Sequence, residues 1–185
     1  KDAAGALSVI VVSHGLGGSR DSLKYLGRHW ASHGYISVHL QHAGSDLKIF
    51  QGKSKAEIPG AMRRAISDIG ARLNRPLDVR FAIDQALAGA LRSRSESLSV
   101  DPDRIAVAGH SFGGWTALAS AGITFNPTTA FRANLGDTRL VASIALSPGG
   151  FLTEPPIAFN TVRVPTLHMT GTEDRIEGIV DTRPR

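Results

Sequence analysis

The stretch Gly109-His110-Ser111-Phe112-Gly113 has the clearest capacity for covalent chemistry in this chain. A short apolar run over residues 105–108 precedes it and reads as a buried strand. A helix-forming run over residues 115–121 follows. Gly-x-Ser-x-Gly between a strand and a helix is the signature of a nucleophile elbow. The turn is so sharp that its flanking positions tolerate almost no side chain, and the serine hydroxyl is lifted above the sheet. A glycine-rich turn that merely contains a serine is the competing reading, and the strand–turn–helix context selects Ser111 as nucleophile. A serine hydroxyl attacks only if a base takes its proton and donors stabilise the oxyanion that forms. The backbone N–H of Phe112, the residue after the nucleophile, is the first expected donor. The second should come from the loop after the first strand, where His14-Gly15-Leu16-Gly17-Gly18 stands, and the N–H of Leu16 is the candidate.

Three segments together, Ser13-His14-Gly15-Leu16-Gly17-Gly18-Ser19-Arg20, Arg75-Pro76-Leu77-Asp78-Val79-Arg80-Phe81 and Gly109-His110-Ser111-Phe112-Gly113-Gly114, resemble the α/β-hydrolase superfamily. Within it the likeness is to predicted dienelactone hydrolases and platelet-activating-factor acetylhydrolases, with cutinase-like polyester hydrolases nearby. The resemblance implies Ser111 as nucleophile and Leu16 and Phe112 as oxyanion donors. It also implies that the triad acid lies in Thr170-Gly171-Thr172-Glu173-Asp174, with Asp174 favoured and Glu173 its neighbouring alternative. An acidic surface turn is the competing account of this segment. The acetylhydrolase branch places its acid one strand earlier, where this chain has Ser147, so the pattern departs there and favours Asp174.

The superfamily order of nucleophile, acid, then histidine leaves no histidine in the expected place, because none follows Arg175. His110 belongs to the elbow turn and should point away from Ser111. His14 belongs to the glycine-rich loop, where the resemblance suggests a structural hydrogen bond. His29 and His33 share a helix, and His39 and His42 flank a strand end. His168 should lie roughly 10 Å below the end of its strand. The chain is therefore expected to be an excerpt, with one or two further strands before Lys1 and a strand plus histidine loop after Arg185.

These groups require elements that hold them at one edge of a sheet. Residues 7–13 read as a central strand, residues 35–40 as a second, 140–146 as a later one and 165–170 as the last. Leu23, Leu26, Trp30 and His33 mark a helix capped by Asp21 or Ser22 and stopped at Gly34. Ile58, Met62, Ile66, Ile69 and Leu73 mark another helix. A third, carrying Val79, Ile83, Leu87 and Leu91, should begin at Pro76. Residues 41–55 and 93–103 are polar connections, with a turn at Asp101-Pro102. Residues 123–139 read as irregular and able to overhang the site. Alternating strands and helices imply an α/β fold, a mostly parallel sheet with helices on both faces and the catalytic groups at the strands' carboxyl ends.

At 185 residues the chain is one domain. Its formal charge of +5 is spread in small groups such as Arg63-Arg64, Arg92/Arg94 and Arg183/Arg185, which excludes a nucleic-acid stripe. The absence of cysteine excludes disulfides, a thiol nucleophile and thiolate metal sites, and leaves the compartment, cytoplasmic or secreted, open. No apolar run is long enough to span a membrane. No cofactor is expected: the glycine-rich loop lacks the lysine of a phosphate loop, and His39/His42 make a weak metal pair. The expected function is carboxylic-ester hydrolysis through an acyl-enzyme on a small-molecule, lipid or polymer ester. A non-catalytic hydrolase-fold protein and an acyltransferase with the same elbow are the alternatives. Trp115 should be core rather than pocket wall.

Overall fold

Alternation along the first strand decides the layering. In β1 (Leu7–Ser13), Val9 and Val11 face one side of the sheet, where they pack with Val79 and Ile83. Ile10 and Val12 face the other, against Leu23 and Trp30. Every one of these four strand side chains is buried, each contributing about 1.5–3 kcal/mol of transfer free energy. A strand buried on both faces needs helices on both, which is the arrangement found.

The computed structural model describes residues 5–93, 98–128, 131–149, 159–176 and 180–181. After β1 come α1 (Lys24–Ser32), β2 (Ile36–His39), α2 (Ile58–Ser67), α3 (Ile69–Leu87), β3 (Val100–His110) and α4 (Phe112–Ser120). They are followed by β4 (Thr124–Thr128), β5 (Phe131–Asn134), β6 (Leu140–Leu146), β7 (Thr166–Met169), β8 (Arg175–Ile176) and β9 (Val180–Asp181). The main sheet has the order β2-β1-β3-β6-β7, and all its pairings are parallel. The expected fold class is the one observed.

Several boundaries differ from expectation. Two helices meet at Asp68, not at Pro76. The Asp68 carboxylate accepts from the Ala71 N–H at 3.3 Å and starts α3 afresh, while Pro76 lies inside α3. An interior proline forfeits one helical hydrogen bond and crowds the carbonyl four residues back. Here α3 nonetheless runs through, which sets Arg75 and Asp78 on one face (i, i+3). Helix α1 follows an N-cap at Leu23, at φ 61°, with no side-chain cap, and the Ser22 hydroxyl accepts from the Ser19 N–H instead.

The stretch read as irregular contains the antiparallel pair β4–β5. Phe125 turns inward, edge-on to Trp115 with ring centroids 5.0 Å apart, and the Asn134 amide donates to the Gly122 carbonyl at 2.8 Å. The turn at Asp101 sits inside β3 as an interruption of its register with β1, with the Asp101 carboxylate accepting from the Asp103 N–H. Strand β7 is not the last, since β8 and β9 form a short antiparallel pair after it. Among the described residues no helix is long and apolar enough to cross a membrane.

Candidate active site

Strand β3 and helix α4 meet at Ser111, which takes φ 56°, ψ −119°. A side chain at positive φ is strained, and strain of this kind gathers at functional sites. It is held by flanking contacts. The Ser111 N–H donates to the Leu146 carbonyl at 2.8 Å and the Trp115 N–H to the Ser111 carbonyl at 3.0 Å. A Cβ on Gly109 would overlap the Gly113 carbonyl, and one on Gly113 would overlap the carbonyl of Ser13. The two glycines that flank the serine therefore let α4 start in contact with both β3 and β1. Trp115 and the Phe112 ring are fully buried beneath the turn, as core, while Ser111 itself is only half-buried. The Phe112 N–H belongs to the first residue of α4, at the positive end of the helix.

The glycine-rich loop comes to the same point. A Cβ built on Gly15 would lie 3.4 Å from the Ser111 Cβ, so the Gly15–Leu16 peptide lies beside the serine. Gly15 to Gly18 form a turn, closed by the Gly18 N–H donating to the Gly15 carbonyl at 3.1 Å, with Gly17 at φ 69°. The segment after β2 buttresses it: the Gly17 N–H donates to the Ser45 carbonyl (2.9 Å) and the Leu47 N–H to the Gly18 carbonyl (3.0 Å). Leu16 packs its side chain on the cluster that contains Phe112 and Trp115.

Asp174 lies in the turn that follows β7, at the same carboxyl edge of the sheet as Ser111 and two strands across. Its N–H donates to the Gly171 carbonyl at 3.2 Å, and the Thr170 hydroxyl donates to its carboxylate at 3.3 Å. Glu173 beside it is exposed. Ser147, at φ 44°, donates its N–H to the Met169 carbonyl, tying the ends of β6 and β7 together.

Beneath the glycine-rich loop lies a buried polar layer that the sequence reading did not assemble. Arg75 is 1% exposed, and its guanidinium serves both halves of the site. Nε donates to the Thr116 hydroxyl on α4 at 3.0 Å, one terminal nitrogen to the Ser45 hydroxyl at 2.8 Å, and the other to the His14 carbonyl and the Ser13 hydroxyl. The guanidinium also lies 4.3 Å from the centre of the Phe112 ring. Burial pulls Arg75 down to about 9, against the attraction of Asp78, so it stays charged at neutral pH.

The histidines divide between this layer and the surface. His14 Nδ1 bonds the Gly15 carbonyl (2.6 Å), and Nε2 accepts from the His42 N–H (3.1 Å), which is a structural hydrogen bond of the kind expected. His42 bonds Ser13 through Nε2 (2.9 Å) and Asp78 through Nδ1 (2.7 Å). Burial holds His14 below the ordinary imidazole range and pushes His42 down to about 4, though Asp78 opposes the shift. His39 bonds Ser37 instead, and no cluster of metal-ligating side chains occurs among the described residues. His110 is exposed, with Nδ1 3.6 Å from the place a Gly15 Cβ would take, so it lies near the loop and not clear of it. Contrary to expectation, His168 does not lie deep below the end of its strand. Strand β7 ends at Met169, so His168 lies about one residue, ~3 Å, from the strand's end, and it is exposed on the edge strand. The signal for the buried layer was present in Arg75-Pro76-Leu77-Asp78, but an i, i+3 pair says nothing about its remote partners.

A parallel sheet whose strand turns through a strained serine into a helix, with a glycine-rich loop after the neighbouring strand, is diagnostic. This is the α/β-hydrolase fold. A solved structure, a ferulic acid esterase from Streptomyces cinnamoneus, superposes with a TM-score of 0.55 at 30% identity, covering 90% of this chain and 43% of that one. By sequence the chain is 32% identical to the platelet-activating factor acetylhydrolase of Canis lupus familiaris, over 60% of this chain and 31% of that protein. The chain thus spans about a third of the curated relative's length. No family model matches.

Proposed function

We propose that this domain hydrolyses carboxylic esters through an acyl-enzyme on Ser111. The observation that carries the reading is the strained, half-buried Ser111 set against the Gly15–Leu16 peptide and the first turn of α4. Ser111 Oγ attacks the ester carbonyl carbon while a histidine removes its proton. The carbonyl oxygen becomes an oxyanion, held by the N–H groups of Leu16 and Phe112. The protonated histidine then delivers its proton to the departing alkoxide. Water, deprotonated by the same base, releases the acid and restores the hydroxyl. Asp174 is assigned to orient that histidine, with Glu173 the neighbouring alternative.

The base itself is assigned outside these 185 residues. The two buried histidines nearest the loop have both ring nitrogens engaged. His29, His33 and His39 lie on or beside α1 and β2, and His110 is the exposed neighbour of Ser111 in the elbow turn. His168 stands on the edge strand, two strands or about 10 Å from β3. The relatives act on an acetyl ester or a feruloyl ester by their names. Esters of small acyl or aromatic acyl groups are accordingly the first substrates to test, ahead of lipid and polymer esters.

The test uses the full-length protein. A fluorophosphonate should label Ser111, and Ser111→Ala should abolish both labelling and hydrolysis of a p-nitrophenyl ester. A folded full-length protein whose Ser111 does not react would overturn the proposal in favour of a binding role. Ester formation in the presence of added alcohol would redirect it to acyl transfer.

A further inference from the structure

We infer that Asp78 and His42 are positioning residues for the oxyanion amide, acting on Leu16 through His14. This rests on the reading of Ser111 as nucleophile. The layer contains one consistent set of proton positions. The Asp78 carboxylate, 44% exposed, can only accept, so His42 Nδ1 carries the proton across their 2.7 Å contact. His42 Nε2 is then an acceptor and takes the Ser13 hydroxyl proton at 2.9 Å. The Ser13 oxygen is left to accept from Arg75, which can only donate. With its ring fixed from both sides, His42 directs its own backbone N–H to His14 Nε2 at 3.1 Å. His14 must therefore carry its proton on Nδ1, and donates it to the Gly15 carbonyl at 2.6 Å.

The last bond has a consequence for the site. The Gly15 carbonyl and the Leu16 N–H belong to one planar trans peptide and point in opposite directions. Fixing the carbonyl from below fixes where the amide proton aims, and the hydrogen bond to the oxygen also polarises that N–H as a donor. The Gly18 N–H gives the same carbonyl a second anchor, so the peptide is held at two points. A preorganised donor of this kind stabilises developing charge without reorganising, whereas a peptide free to rotate does so poorly. Arg75 completes the layer by joining the His14 carbonyl and Ser45 to Thr116 on the elbow helix.

Asp78→Asn removes the charge that selects the His42 tautomer while keeping the side chain's shape. In the full-length enzyme it should lower kcat for p-nitrophenyl acetate roughly 10- to 100-fold with KM within about twofold, and weaken a boronic acid inhibitor in parallel. The number of sites titrated by a fluorophosphonate should not fall. Nitrogen-15 histidine spectra should show His42 protonated on Nδ1 in the wild type and a raised share of the Nε2 tautomer in the variant, whose amide can offer its NH2 as well as its oxygen to Nδ1. Asp78→Glu should recover much of the loss. An unchanged kcat, an unchanged His42 tautomer, or a loss fully explained by fewer titratable sites would overturn the inference while leaving Ser111 in place. Should the wild type lack Ser111-dependent hydrolysis, the esterase reading fails first and takes this inference with it.

Discussion

Single side chains here are constrained by how closely backbones approach. Gly113 allows the start of α4 to lie on the Ser13 carbonyl, so Gly113→Ala should push the elbow off β1. We expect a loss of about 1–3 kcal/mol in urea unfolding, of the size overpacking gives, together with loss of Ser111 labelling. The two adjacent acids can be separated in the same way. Asp174→Asn in the full-length protein should reduce kcat about 10³- to 10⁴-fold, as loss of a triad carboxylate does, whereas Glu173→Gln at its exposed position should change it less than threefold. The reverse order would transfer the role to Glu173.

Helix boundaries place Arg75 and Asp78 under the loop, so the relevant scale for that layer is the element. If α3 began at Pro76, Arg75 would lie outside the helix and its i, i+3 alignment with Asp78 on one face would be lost. The start at Asp68 prevents this, and Asp68→Ala should cost about 1 kcal/mol as the Ala71 N–H loses its cap. Urea titration would read it, and no change would mean that packing alone sets the boundary. The β4–β5 pair tests as an element too. Phe125→Ala removes a buried ring from its contact with Trp115 and should destabilise by about 3–5 kcal/mol. A near-neutral result would show that this hairpin is independent of the elbow core.

For the molecule as a whole, the buried histidine layer couples stability to pH. His42 titrates near 6.5 in the unfolded chain and near 4 in the fold, because burial disfavours its charged form. Above pH 6.5 neither state binds the proton. As pH falls through 6.5 the unfolded chain takes it up and the folded one does not, so stability declines toward pH 4 by roughly 3 kcal/mol and then levels. His14, lowered by burial as well, adds a loss of the same sign. Urea midpoints measured from pH 7 to pH 4 should fall accordingly, and His42→Gln should flatten the slope. A midpoint constant across that range would contradict the neutral, buried state of both rings.

Patterns that repeat within a few residues were legible in the chain. Apolar runs such as Val9-Ile10-Val11-Val12 demanded a strand covered on both sides, and Gly109 to Gly113 demanded a bend with a raised hydroxyl, because those constraints act between neighbours. The same local logic points to Leu16 as the second donor. Tertiary structure alone decided that Arg75 reaches Thr116, 41 residues away, and that Asp78 reaches His42, 36 residues away. It likewise turned residues 124–134 into a hairpin and carried α3 past a proline. Each of these depends on which surfaces close over one another and on finding partners for polar groups once water is gone, and the spacing of residues along a chain does not encode that directly.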